Sequence, residues 1–205
     1  MNTRLHLLLI GLGGLLVIAV FTFPMWQSLV VREASEDPFE VALQVLPQDM
    51  QAELRVMATQ NPQMAATMAV AAATSVTVPE DEETMPEMTD PVILSSGSFI
   101  RIDALHEAEG TATIYQLPDG SRVLRLEDFR STNGPDLHVI LSTDPNPRSH
   151  DALGENYVEL GRLKGNVGNQ NYDIPADVDL SQFQSVVIYC QQLQVVFSMA
   201  TLTAV

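Results

Sequence analysis

At 205 residues, with 10 lysines and arginines against 26 acidic residues, the chain carries a formal net charge of -16 at pH 7. Phosphate backbones and anionic lipid surfaces are bound by clustered Lys and Arg, so nucleic acid is excluded as a partner, and a polybasic lipid-binding patch with it. One cysteine, Cys190, excludes an internal disulfide framework and any multi-cysteine zinc or iron–sulfur site.

The first element is apolar. From Leu5 to Trp26 there is no acid and no permanent charge, and Arg4 sits just before the run. That length crosses a hydrocarbon core of roughly 30 Å as a helix, and Trp26 suits its interface. The run exceeds the apolar stretch of a cleaved signal peptide, and no A-x-A site follows it. Residues 1–31 therefore read as an uncleaved, single-pass signal anchor, with a cleaved leader as the alternative. The membrane is its partner, and the acidic remainder is expected on the extracytoplasmic side, at the cell surface.

Residues 32–74 carry helix signals. Asp37 suits an N-cap, Pro38 the first helical position, and Glu40 follows three residues after the cap. Met50, Leu54 and Met57 fall on one helical face, and Asn61-Pro62 ends that helix and starts another bearing Met64 and Met68. The segment is expected to be a membrane-proximal, methionine-rich hairpin or stalk; oligomeric state stays open. Thioethers, with Met85 and Met88 nearby, can hold Cu(I); apolar packing is the plainer reading. Residues 75–92 interleave acids with Pro79, Pro86 and Pro91, the pattern of an extended, self-repelling linker.

From residue 93 to 205 the pattern changes to short β-rich runs between turn signals: SFIRI, TATIYQL, RVLRL, DLHVILS, YVELGRL, QNYDIP, SVVIYC and QVVFSMATL. Pro118-Asp119-Gly120 joins the second and third as a turn. The expected fold is all-β, a small antiparallel β-sandwich or barrel-like domain behind a transmembrane helix and a helical, acidic connecting region.

Chemistry-bearing residues are few. No phosphate-cradling glycine loop, H-E-x-x-H or G-x-S-x-G is present. His6 belongs to the membrane end, while His106 and His150 fall in expected loops. His138 lies inside DLHVILS, where alternation puts Leu137, Val139 and Leu141 on one face and His138 and Ile140 on the other. Cys190 shares a strand face with Val186 and Ile188. A thiol and an imidazole on central strands can act together on redox chemistry or as ligands, so Cys190 is the candidate catalytic thiol, and Cys190 and His138 the candidate cofactor-binding pair. No dedicated metal site is read, and a buried packing cysteine stays open as the alternative.

NGPDLHVILS, LGRLKGNVGNQNYDIPADVDLSQFQSVVIYC and VVFSMATL together resemble the DM-thirteen domain, an extracytoplasmic β-rich module often found beside DOMON domains, over about residues 95–203. The resemblance implies electron transfer or oxidative modification at the cell surface, with a redox partner protein. It implies a role for Cys190 as a bare thiol or as a ligand to a prosthetic group such as haem. Its GPDLHV motif falls on Gly134 to Val139, including His138, and its turn on Lys164 to Tyr172. Family members often carry tryptophan before the cysteine; here it is Tyr189, which keeps an aromatic and loses an indole N–H. No defined reaction follows. The sequence leaves two functions: a redox module centred on Cys190, or a non-enzymatic binding or structural module around an inert thiol.

Overall fold

The computed structural model describes residues 37–74, 83–84, 91–154 and 156–205. The expected anchor, 1–31, and most of the acidic linker lie outside the described residues. Among the described residues no helix is long and apolar enough to cross a membrane. Pro38–Val205 forms one compact unit.

Three helices come first, α1 (Pro38–Val45), α2 (Gln48–Gln60) and α3 (Pro62–Ala73). Pro38 starts α1, where a fixed φ and a missing N–H cost nothing. Between α2 and α3, the Asn61 side chain accepts from Met64 N at 3.0 Å and Pro62 takes the first helical turn, as the Asn-Pro pair predicts.

These helices do not stand apart as a stalk. Leu54 and Met68 are fully buried, and both belong to the same apolar cluster as the strands that follow. Burying a Leu or Met side chain is worth roughly 1.5–3 kcal/mol, a gain forfeited by a free-standing helix pair. Met50 and Met57 also pack against that cluster, which gives the methionine seam an apolar role. Two polar ties reinforce the contact: Arg101 Nη2 to Asp49 Oδ2 at 3.1 Å, and Ala104 N donating to Glu53 Oε1 at 3.3 Å.

The remainder is a β-sandwich. Its strands are β1 (Val92–Ser98), β2 (Ala108–Gln116), β3 (Arg122–Ser131), β4 (Leu137–Ser142), β5 (Tyr157–Arg162), β6 (Gln170–Ile174), β7 (Ser185–Cys190), β8 (Val195–Thr201) and β9 (Thr203–Ala204), with a one-turn helix α4 (His150–Leu153) between β4 and β5. One sheet runs β6-β3-β2-β1-β9 and the other β5-β4-β7-β8. All pairings are antiparallel. The predicted turn closes β2 onto β3, with Leu117 N donating to Ser121 O at 2.9 Å and Gly120 at φ 87°.

The first strand departs from expectation: it is the serine-rich 92–98 stretch and not SFIRI. Gly97 explains the tolerance for small residues there, because a Cβ at this position would collide with the Thr201 carbonyl oxygen. The acidic linker also departs, at the two residues described. Glu83 and Thr84 dock on β6 through Lys164, Asn171 and Arg125.

In the four-stranded sheet, alternation sorts the side chains as predicted. Leu137, Val139, Leu141, Val186, Ile188 and Cys190 join the main core, whereas Ile140, Val187 and Tyr189 join a smaller cluster with Leu153, Val196 and Met199.

Candidate functional site

Cys190 ends β7, directly opposite Leu137 of β4 and Val195 of β8, and it is fully buried. The turn that follows, Gln191 to Gln194, places Gln194 at φ 55°, a left-handed conformation that costs a non-glycine residue roughly 1–2 kcal/mol. Burial pushes the Cys190 thiol up, and the nearby Asp136 carboxylate adds to this. Backbone amides of Leu193, Asp136 and Gln192 act the other way, favouring negative charge on sulfur, without overcoming burial. The result is a protonated thiol at neutral pH, walled by aliphatic side chains.

His138 is not beside it. Register pairs His138 with Tyr189 and Leu137 with Cys190, so the imidazole and the thiol leave opposite faces of the same sheet. The His138 ring is buried between two carboxylates, with Nδ1 at 2.6 Å from Glu159 Oε1 and Nε2 at 3.1 Å from Asp136 Oδ1. Arg162 shares Asp136 Oδ1 at 2.7 Å, and Gln191 donates to Glu159 Oε2 at 2.9 Å. Both ring nitrogens are therefore engaged. The motif histidine ties β4 to β5 and to the loop before β4.

Two arrangements were not legible in sequence. His106 is 6% exposed, and its Nδ1 meets both Asp103 carboxylate oxygens at 2.8 and 2.7 Å. Its ring sits edge-on to Phe197 at 4.9 Å, and its Nε2 is buried without a hydrogen-bond partner. Burial raises Asp103, but the His106 ring and the amides of His106 and Leu105 hold it below the usual carboxylate range. On the other side of the four-stranded sheet, the Tyr189 hydroxyl lies 2.7 Å from His150 Nδ1 across 39 residues of sequence. The Tyr189–His150 pairing has no local spacing signal, and although Asp103 and His106 are three residues apart, only the fold buries that pair against Phe197.

Cavities gather where the helices meet the sandwich loops. One of about 430 Å³ lies between Leu46 and Met50 and the Arg130–Asn133 segment, and one of about 510 Å³ between α3 and Asn133–Pro135. A third, about 420 Å³, lies between α2 and Asp103–His106, and a fourth, about 170 Å³, beside Lys164 and Asn166. Cys190 lines none of these four. Its side chain is fully buried, and none of these four cavities opens onto it. Among the described residues, no group of three or more His, Cys, Asp or Glu side chains is placed to hold a metal ion.

A family model described as electron transfer DM13 matches residues 99–202. No curated protein matches the chain. Among solved structures, Candida albicans superoxide dismutase 5 with Cu(II) is similar at 16% sequence identity and a TM-score of 0.36, over 56% of this chain and 94% of that one.

Proposed function

Because the chain belongs to the electron-transfer DM13 family, we propose that its sandwich is an electron-transfer module with Cys190 as a redox group, held at the outer face of a membrane by the apolar run from Leu5 to Trp26. The choice of residue rests on Cys190 being the chain's one thiol, set at the end of a central strand beside the Gln191–Gln194 turn, at one end of an otherwise aliphatic core. Main-chain groups of Leu193, Asp136 and Gln192 favour negative charge on that sulfur, against the larger effect of burial.

The same site limits the chemistry. A buried, protonated thiol is a poor nucleophile for exchange with dissolved disulfides. With Cys190 fully buried and none of the four cavities opening onto it, no step is routed through a prosthetic group, and the role assigned is that of the bare thiol. Complete burial is also the observation that favours the second reading, an inert cysteine inside a binding or structural module.

Voltammetry of the full chain in lipid films separates the two. An electrode response that disappears in Cys190→Ala, with circular dichroism unchanged, supports the redox thiol. An identical response from the variant overturns it and leaves the structural module. Protease added to intact cells tests the topology: cleavage of the sandwich from outside supports the outward orientation, and complete protection removes it.

A further inference from the structure

We propose that Tyr189 and His150 form a second electron-transfer site on the outer face of the four-stranded sheet, a phenol–imidazole pair in which loss of an electron is coupled to movement of a proton. The inference rests on the electron-transfer reading of the domain and is independent of Cys190, whose side chain leaves the opposite face.

The geometry is specific. Tyr189 Oη and His150 Nδ1 are 2.7 Å apart, and the rings stack with centroids 6.0 Å apart and planes at 23°. Tyr189 is 3% exposed, enclosed by Ile140, Leu153, Val187 and Met199, whereas His150 is exposed at the start of α4. The phenol is thus held in a dry wall while its partner stands at the rim, where an imidazole can exchange protons with water. The other tyrosines lack such a partner: Tyr172 donates to Gln170 Oε1 at 2.8 Å, and no imidazole is hydrogen-bonded to Tyr115 or Tyr157 among the described residues.

The chemistry follows from where charge can exist. Burial pushes the Tyr189 phenol up, so it keeps its proton until oxidised. Removing an electron alone would leave a cation in apolar surroundings, which is costly. Nδ1 is within hydrogen-bond distance, and in the tautomer that carries the ring proton on Nε2 it accepts the phenol's proton as the electron leaves. The Tyr189 O–H bond breaks, an N–H bond forms on His150 Nδ1, and a neutral tyrosyl radical stands beside an imidazolium. The electron passes to a one-electron oxidant outside the domain, a redox protein or a metal complex. A one-electron reductant reverses the step, and the proton returns to oxygen.

The test is flash oxidation of the full chain in nanodiscs by photogenerated ruthenium(III) polypyridyl, followed by transient absorption and electron paramagnetic resonance. The expected result is a neutral tyrosyl radical that is absent in Tyr189→Phe. Its formation should slow about a hundredfold in His150→Ala, the usual scale for losing a positioned proton acceptor, and should recover when imidazole is added to that variant. A radical that persists in Tyr189→Phe, or forms at the wild-type rate in His150→Ala, overturns the proposal. Cys190→Ala is expected to leave the radical unchanged; its loss there would overturn the independence of the two sites. A failed voltammetric test of Cys190 is thus distinguishable from failure of this pair.

Discussion

Leu54 reports on whether the helical layer and the sandwich share one cooperative core. It is fully buried in α2 and belongs to the cluster that contains Cys190. Leu54→Ala removes buried methyl groups and leaves a cavity, at a cost of about 3 kcal/mol within the usual range for such changes. Cys190 lies on β7, between β4 and β8, so a reagent reaches its sulfur only when the sheet opens. Where alkylation is slower than reclosing, its rate follows the open population, and about 3 kcal/mol raises that population roughly a hundredfold. The assay is iodoacetamide labelling of the full chain read by intact mass, with the single cysteine as its own reporter. In the wild type, a stability of about 5 kcal/mol or more slows labelling several thousandfold against the denatured chain. An unchanged labelling rate in Leu54→Ala, with the helices melting earlier, would refute the shared core. Labelling of the native wild type near the denatured rate would refute the sealed sulfur, and with it the assignment to a bare buried thiol.

Three further outcomes are expected. Asp103 has a depressed folded-state pKa, so its contribution is present above the unfolded value and lost as pH falls; the wild type should weaken on acidification below about pH 4, and Asp103→Asn should flatten that dependence in melts across pH. Gly97→Ala forces a Cβ onto the Thr201 carbonyl and to 2.9 Å from its carbon, a main-chain clash that should cost about 1–3 kcal/mol or more by calorimetry. His138→Leu strips Asp136 and Glu159 of a shared partner and should cost about 1–3 kcal/mol in chemical denaturation. The same variant should leave the Cys190 electrode response in place, because the imidazole lies on the other face.

What was legible in the sequence was local. Within each strand, alternation grouped Cys190 with Val186 and Ile188, and set His138 and Ile140 apart from Leu137, Val139 and Leu141, because a strand has a fixed period of two; only the register between β4 and β7 shows that Cys190 and His138 face opposite ways. Asn61-Pro62 and Pro118-Asp119-Gly120 worked for the same reason, since their effect is confined to a few bonds. Strand β1 was misplaced because VILSSGS owes its state to pairing with β2 and β9 and to the close approach at Gly97, neither of which marks its own pattern. Tertiary partners were out of reach altogether. His106 and His150 looked like loop residues, yet one is buried against Phe197 and the other meets Tyr189. The helices carried an apolar face without naming the surface that covers it, and Glu83 looked like one solvated acid among several.

That glutamate has a consequence for how copies of the protein treat one another. Strand β6 is an outer strand of its sheet, with unpaired main-chain groups of the kind that recruit a neighbour's strand. At Asn171 both groups are already taken: the N–H donates to Glu83 Oε2 at 2.6 Å, and the carbonyl accepts from Lys164 Nζ at 2.8 Å. Lys164 in turn reaches Glu83 Oε1 at 2.6 Å, so acid, base and strand close on themselves. At Asn171, then, Glu83 and Lys164 occupy the main-chain groups that a strand from another copy would have to pair with.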